Sequence, residues 1–249
     1  MTSQNKESLL AGLRDRIRRL EGGAGVARPT MRFGLAAIDG HLPGGGLAAG
    51  GLHEIAGAPG AAAADGFTAV LAARFAALAG IVLWVQPRRE AGEAGLLYGP
   101  AMAAFGLSPG RLLMVAAGTR QETLWALEEG LRNPAVTVVV GELDQLPLAP
   151  SRRLHLAAEA TGATALILRR SPAPEDFAPN AALSRWAVSA GPAMDGAPVW
   201  RLRLWRLRGG RPGEWRVRFD EETLRFDLAA PLADGTVAAP ARAGRAGGA

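Results

Sequence analysis

Short apolar runs alternate with helix-like segments through the first two thirds of the chain. The runs have the length of buried strands, and the segments between them place apolar residues at spacings of three and four. The predicted strands are Leu52–Ile55, Ile81–Val85, Leu112–Ala116, Val136–Val140 and Ala163–Leu168. The predicted helices are Gly66–Leu78, Ala94–Phe105, Arg120–Leu131 and Ser151–Ala160. Strands that are apolar on both faces predict an α/β fold, a mostly parallel twisted sheet flanked by helices.

The two ends of the chain have different patterns. Over residues 5–21, Leu and Ile at helical spacing alternate with arginine, which predicts an amphipathic helix that a glycine-rich linker ends. This helix can pack on its own domain or dock on a partner subunit. Over residues 199–228, two alternating runs around the turn Gly209–Gly213 predict an antiparallel β-hairpin extension, with a third short strand at Thr223–Leu228.

These changes in pattern suggest four parts. They are an N-terminal helix and linker (1–25), an α/β core (30–190), the hairpin extension (191–230) and a tail (231–249). The tail is dominated by Ala, Gly and Pro, and we expect it to be disordered.

Composition excludes several kinds of chemistry. The 249 residues include no cysteine, so disulfides, iron–sulfur clusters and thiol catalysis are ruled out. The three histidines (His41, His53 and His155) are too far apart to form a metal-ligand motif, and we expect no metal. Neither a signal peptide nor an apolar stretch of bilayer length occurs, which favours a cytoplasmic protein.

Charge is informative mainly through its distribution. Lys and Arg number 28 against 23 Asp and Glu, and Lys6 is the one lysine. A GC-rich genome would produce such an arginine excess without any function. The clustering of basic residues near the C-terminus therefore says more than the total.

The turn after the first strong strand has the architecture of a phosphate-binding loop. Gly57 and Gly60 lie in the turn that follows Ile55, and Gly66 and Thr68 lead into the next predicted helix. Free backbone N–H groups and the helix dipole at such a junction can hold an anion. We therefore treat these four residues as a vestigial phosphate loop.

The side chains needed for phosphoryl transfer are missing from this loop. A Walker A loop has the pattern GxxxxGK[ST], in which lysine neutralises phosphates and the hydroxyl binds Mg²⁺. Counting from Gly57 places Ala62, Ala63 and Ala64 at the Gly, Lys and Ser/Thr positions, and alignment on Gly66 puts phenylalanine at the lysine position. We expect neither a bound nucleotide cofactor nor ATPase activity.

The acidic residues of an ATPase are also displaced. A metal-binding Asp should end the strand Val136–Val140, yet Gly141 follows, and Glu142 or Asp144 could serve only after a backbone shift. Gln86 ends the strand where a water-activating carboxylate is expected. No GxSxG motif is present and the serines have no neighbouring histidine motif, so no catalytic residue is assigned.

Two groups of motifs carry a family resemblance. The segments Gly34-Leu-Ala-Ala-Ile-Asp39, Leu42-Pro-Gly-Gly-Gly-Leu47 and Gly51-Leu-His-Glu-Ile-Ala-Gly57 resemble the entry to the RecA-type ATPase core. Together with the missing lysine, the segments Ser184-Arg-Trp186, Arg208-Gly-Gly-Arg-Pro-Gly-Glu-Trp215, Phe219-Asp220 and Leu224-Arg-Phe226 resemble the ImuA family. The resemblance covers residues 1–235 and is strongest at these two ends.

The resemblance implies a RecA-like core and a role in DNA damage. ImuA-like proteins are accessory proteins of SOS-induced, error-prone translesion synthesis that act beside ImuB, a Y-family polymerase relative, and the DnaE2 polymerase, and they are linked to RecA. Two alternatives stay open. One is an ATP-dependent recombination ATPase with a divergent phosphate loop. The other is a division inhibitor similar to SulA, although SulA-like proteins are shorter and lack the Arg/Trp hairpin.

The C-terminal hairpin is the second candidate site. Residues 199–219 contain seven arginines and three tryptophans against a single acid, Glu214. Arginine and aromatic residues suit protein hot spots, and they equally suit single-stranded DNA. In a third interpretation the tryptophans pack on the core and the arginines are solvated. The resemblance favours a protein partner, with a nucleoid-associated location, and we assign partner binding to Trp200, Arg203, Trp205, Arg208, Arg211, Trp215, Leu13 and Ile17.

Overall fold

The computed structural model describes residues 28–76, 80–88, 97–171, 177–194 and 197–229. The predicted helix at residues 5–21, including Leu13 and Ile17, and the predicted tail lie outside these residues. The division of the chain into four parts stays a prediction. None of the described helices is both long and apolar enough to cross a membrane.

The described residues form eleven strands and five α-helices. The strands are β1 (Thr30–Met31), β2 (Leu47–Ala48), β3 (Leu52–Gly57), β4 (Ile81–Pro87), β5 (Leu112–Ala117), β6 (Val136–Glu142), β7 (Thr164–Arg170), β8 (Ser184–Met194), β9 (Ala197–Leu207), β10 (Gly213–Asp220) and β11 (Arg225–Leu228). The helices are α1 (Ala36–Asp39), α2 (Ala62–Ala76), α3 (Gly99–Ala103), α4 (Arg120–Arg132) and α5 (Leu148–Thr161).

Nine of these strands build one sheet in the order β11-β10-β9-β8-β3-β7-β6-β4-β5. From β5 to β8 every neighbouring pair is parallel, whereas β8, β9, β10 and β11 are antiparallel to one another. The prediction of a mostly parallel RecA-like sheet flanked by helices, with an antiparallel extension at the C-terminal end, is confirmed.

Two apolar cores lie on opposite faces of the sheet. Alternate residues of a strand point to opposite faces, so Val138 and Val140 pack on the side of α2 and Val139 packs on the side of α4 and α5. On the α2 side, the Phe67 ring of the core contacts the rings of both Trp186 and Phe226. The C-terminal extension therefore shares its core with α2.

Most predicted elements are present, with shifted ends. The helix predicted at Gly66–Leu78 begins earlier, at Ala62, because three alanines follow the turn and alanine is the best helix former. The helix predicted at Ala94–Phe105 is shorter, Gly99–Ala103, among the described residues, and Gly106 follows it with φ of +83°. The helix at Arg120 begins as predicted, with the Glu122 N–H donating to the Thr119 hydroxyl at 3.1 Å.

Candidate functional site

The turn between β3 and α2 is the counterpart of a phosphate loop. It consists of residues 58–61, and the Ala61 N–H donates to the Ala58 carbonyl oxygen at 3.0 Å. Gly60 has φ of +72°, a left-handed conformation that favours glycine. Because α2 begins immediately afterwards, Ala63 at the lysine position lies in the first helical turn.

Two of the four residues assigned to the vestigial loop lie in the helix instead. Gly66 is in the second turn of α2, where an added Cβ would lie 2.9 Å from Trp200 and 3.0 Å from Phe105. The Thr68 hydroxyl donates to the Ala64 carbonyl oxygen one turn earlier, at 2.7 Å. Gly66 is therefore a packing glycine and Thr68 is a buried helix residue, so the alignment on Gly66 does not describe the turn.

Position 64, where a Walker A loop has its Ser or Thr hydroxyl, is closely packed in this chain. An added Cβ on Gly57 would lie only 2.4 Å from the Cβ of Ala64. The small side chain at position 64 thus lets the first turn of α2 sit directly on the end of β3. A larger side chain at position 64 would have to point away from this contact.

A partly buried arginine occupies the region where an ATPase holds its charges. Arg170 ends β7 and lies opposite Gly57 in the register between β3 and β7. Its guanidinium lies 2.7 Å from the Asp65 carboxylate in the first turn of α2 and 2.8 Å from the Glu142 carboxylate at the end of β6. The Trp84 indole N–H donates to the other Glu142 oxygen at 2.9 Å. We call Asp65, Glu142 and Arg170 the ion triad.

Burial sets the electrostatics of the triad. Burial lowers the pKa of the Arg170 guanidinium, but Glu142 and Asp65 outweigh this effect and raise the pKa overall. Burial raises the pKa of the Asp65 carboxyl, and Arg170 opposes part of that rise. One cation thus serves two carboxylates, so this arginine is already neutralised by its own chain.

The strand ends beyond the triad line an open cavity of about 430 Å³. Glu142, Asp144 and Thr119 contribute to its wall. The strand β6 extends through Gly141 to Glu142, so Glu142 is the last residue of the strand and its carboxylate joins the triad. Within the described part of the chain, no group of three His, Asp or Glu side chains could hold a metal ion.

A second ion network lies on the opposite face of the sheet. Glu54 on β3 is 1 % exposed and pairs with Arg169 at 2.9 Å and with Arg185 at 2.8 Å. The Asn180 amide donates to the same carboxylate at 2.8 Å, and Arg169 stacks on the Phe177 ring at 3.7 Å. Burial lowers the pKa of Arg185, which Glu54 opposes. This network links β3, β7 and β8 to the segment before β8.

The fold also brings a histidine to a serine. His53 Nε2 lies 2.8 Å from the Ala48 carbonyl oxygen, so Nε2 donates and Nδ1 accepts from the Ser184 hydroxyl at 2.7 Å. The Trp186 indole N–H donates to the same hydroxyl oxygen at 3.0 Å. Burial lowers the pKa of His53 to about 4. Both residues are fully buried, so the pair has the geometry of a base and a nucleophile but no access for a substrate.

The residues assigned to partner binding fall into two groups. Trp200 and Trp215 belong to the core, 7 % and 6 % exposed, and the Trp215 indole N–H donates to the Ala37 carbonyl oxygen at 3.1 Å. Both rings are therefore part of the core rather than of the exposed surface of the hairpin. Arg203 and Trp205 are partly exposed, with the guanidinium 4.6 Å from the ring centre.

Arg208 and Arg211 are exposed at the turn between β9 and β10. Arg211 donates to the Gly40 carbonyl oxygen at 3.2 Å, which ties the turn to the segment after α1. Among the described residues assigned to partner binding, those that are at least partly exposed are Arg203, Trp205, Arg208 and Arg211.

Sequence reasoning missed the two arginines at the end of β7 and assigned them no role. Two adjacent arginines directly after the apolar run Ala163–Leu168 were the signal. Because neighbouring residues of a strand face opposite ways, Arg169 and Arg170 reach different faces and different carboxylates. The partners Glu54, Asp65 and Glu142 come from three other elements, which only the strand order brings together.

Fold and site together define a class: a RecA-like α/β protein whose phosphate-loop turn lacks the lysine and the hydroxyl and faces an internal ion triad. No protein-family model matches the chain. The chain is 36 % identical over 248 residues to Protein ImuA of Caulobacter vibrioides strain NA1000 / CB15N, covering 91 % of this chain and 99 % of the relative. Protein ImuA of strain ATCC 19089 / CIP 103742 / CB 15 matches with the same values. The chain belongs to the ImuA family.

Proposed function

We propose that this ImuA-family chain is a non-catalytic accessory protein of SOS-induced, error-prone translesion DNA synthesis. It acts as an adaptor for an ImuB-like Y-family polymerase relative, with RecA and the DnaE2 polymerase as further partners, in the cytoplasm at the nucleoid. Family membership supports the pathway, and the ion triad supports the absence of catalysis.

The triad is the observation on which the non-catalytic role rests. Phosphoryl transfer depends almost entirely on positioning and on cationic stabilisation of the phosphates. In this chain Ala63 stands at the lysine position, and the nearby cation, Arg170, is held by Asp65 and Glu142. An incoming triphosphate would meet two carboxylates and one arginine already paired with them, so binding would require breaking a partly buried network.

Two surfaces serve the adaptor role in this proposal. One is the exposed part of the hairpin, with Trp205 and Arg208 as anchors, because tryptophan and arginine dominate protein hot spots. The other is the predicted N-terminal helix with Leu13 and Ile17. Two separate surfaces would let one chain hold two components of a polymerase assembly.

A pull-down with an ImuB-like Y-family partner tests the adaptor role. We expect wild type to retain the partner and the double variant Trp205→Ala/Arg208→Ala to lose most of it, roughly tenfold or more. The matched control is Trp125→Ala, because Trp125 is 65 % exposed on α4, away from the hairpin. Failure of wild type to retain the partner would contradict the adaptor role. Equal loss of the partner in both variants would show that the hairpin is not the surface that binds it.

A phosphate-release assay tests the alternative that the chain is a recombination ATPase. With ATP, Mg²⁺ and single-stranded DNA, we expect no release above the background without protein. Turnover that depends on the protein would favour the ATPase alternative.

A further inference from the structure

The antiparallel extension has one apolar face and one basic face. Trp200, Leu202 and Leu204 of β9 point into the core on the α2 side. The alternate residues point to the other side of the sheet. We define the basic face as the side chains of Arg201, Arg203, Trp205, Arg206, Glu214, Arg216, Arg218 and Asp227, which the strand register places together.

The register arranges these arginines as a lattice. Arg201 lies opposite Arg216 on β10, and Arg218 lies opposite Asp227 on β11. On β8 the residues that face Arg201 and Arg203 are Ser189 and Ala187, whose small side chains do not cover them. Arginines two residues apart on one strand are separated by about 6.8 Å, and neighbouring strands by about 4.8 Å.

Charge on the basic face is poorly compensated. Five arginines stand against Glu214, which lies opposite Arg203, Asp227, which lies opposite Arg218, and Asp220, which follows Arg218 on the same face of β10. Among the described residues the one ion pair within this face, Arg201 with Glu214, is long at 3.6 Å and exposed. Arg203, Arg206 and Arg218 make no ion pair with any residue that the structure describes. This arrangement differs from the rest of the sheet, where the arginines at strand ends are paired with carboxylates.

The two ends of the chain lack the charge to cover this face. Residues 1–27 contain five basic and three acidic side chains, and residues 230–249 contain two basic and one acidic side chain. Both segments are net positive, so neither complements the arginines. An external anionic partner fits the charge.

We infer that the basic face binds the phosphate backbone of single-stranded DNA and that Trp205 offers a ring on which a base stacks. This inference goes beyond the adaptor role and does not depend on it. Cationic grooves or faces with aromatic rings are the general solution for single strands, because charge follows the backbone and rings tolerate any base. The arginine spacing is comparable to the separation of neighbouring phosphates in an extended strand. A regular lattice suits this repeating ligand better than an acidic peptide with irregular charges.

Fluorescence anisotropy with a labelled oligothymidine and the full chain tests the inference at several salt concentrations. The test variant is Arg203→Gln/Arg218→Gln. The matched control, Arg120→Gln/Arg152→Gln, removes the same charge from exposed positions on α4 and α5. The slope of log K against log salt is negative, and we expect its magnitude to decrease by about 1.4 in the test variant and to stay unchanged in the control. Trp205→Ala should weaken binding about tenfold with the slope unchanged.

Equal slopes in the test and control variants, or no oligothymidine binding by wild type at low salt, would overturn the inference. A test variant that loses the Y-family partner in the pull-down while it binds oligothymidine normally would also overturn it, because the face would then be a protein contact. Thermal unfolding of each variant verifies that it folds. Because the two assays are separate, a failure of DNA binding can be told apart from a failure of partner binding.

Discussion

Arginines at the end of β7 and arginines on β9 and β10 have opposite surroundings in the same sheet. Arg169 and Arg170 end a parallel strand, and each lies within 2.9 Å of at least one carboxylate on a neighbouring element. Arg201, Arg203 and Arg218 alternate with apolar residues on antiparallel strands and lie on a face with few acids. The residue type alone therefore does not reveal the role. Whether an arginine is paired within the chain or available to a partner depends on which acidic residues the strand order places beside it.

Replacing core and surface tryptophans of the hairpin should give the largest contrast. Trp215→Ala removes a buried ring that contacts Trp186, with centroids 6.2 Å apart, and should lower the free energy of unfolding by about 4 kcal/mol. Trp205→Ala removes a partly exposed ring and should cost less than about 1 kcal/mol. Urea denaturation of both variants measures the difference. Similar losses would show that the two rings have equal structural roles.

Removing the carboxylate of the buried ion network should lower the free energy of unfolding more than removing the carboxylate of the surface pair. Glu54→Gln leaves Arg169 and Arg185 without a carboxylate and should lower the free energy of unfolding by about 3 kcal/mol. Glu214→Gln, which breaks the exposed contact with Arg201, is the control and should change it by at most about 1 kcal/mol. Denaturation at pH 7 tests both. A Glu54→Gln protein as stable as the control would contradict the contrast between paired and open arginines.

Acid should destabilise the parallel half of the sheet through His53. Burial lowers the pKa of His53 to about 4 in the folded state, against 6.5 when exposed. Between these values the unfolded chain binds the proton and the folded chain does not, so stability is lost as the pH falls from about 6.5 to about 4. The loss should total about 3 kcal/mol.

The difference between wild type and His53→Gln isolates this contribution. Denaturation across this pH range should give a steeper loss in wild type than in the variant. Parallel curves would mean that His53 takes up its proton equally in both states.

Local patterns predicted the elements well and the contacts between them poorly. The strand Val136–Val140 is recognisable because it is a continuous apolar run, and Thr119 with Glu122 marks the start of α4. The ion triad was not predictable, because Asp65, Glu142 and Arg170 are far apart in sequence and meet only through the strand order.

The hairpin contained a signal that was not used. Trp200, Leu202 and Leu204 alternate with Arg201 and Arg203, and this period of two assigns tryptophan 200 to the buried face. The assignment of Trp200 and Trp215 to partner binding mixed the two faces of the hairpin, whereas the interpretation in which the tryptophans pack on the core fits both of them. The same alternation places Trp205 with the arginines. The register shift between Arg185 and Trp186, just opposite Trp205, then brings Arg206 to the same face.

Isothermal titration of ATP with Mg²⁺ into the full chain tests most directly whether the ion triad has replaced the nucleotide. We predict no saturable heat up to about 1 mM ATP, which corresponds to less than about 4 kcal/mol of binding free energy. Saturable binding at micromolar ATP that requires Mg²⁺ would contradict the account, because it would mean that Arg170 leaves its carboxylates to serve a phosphate.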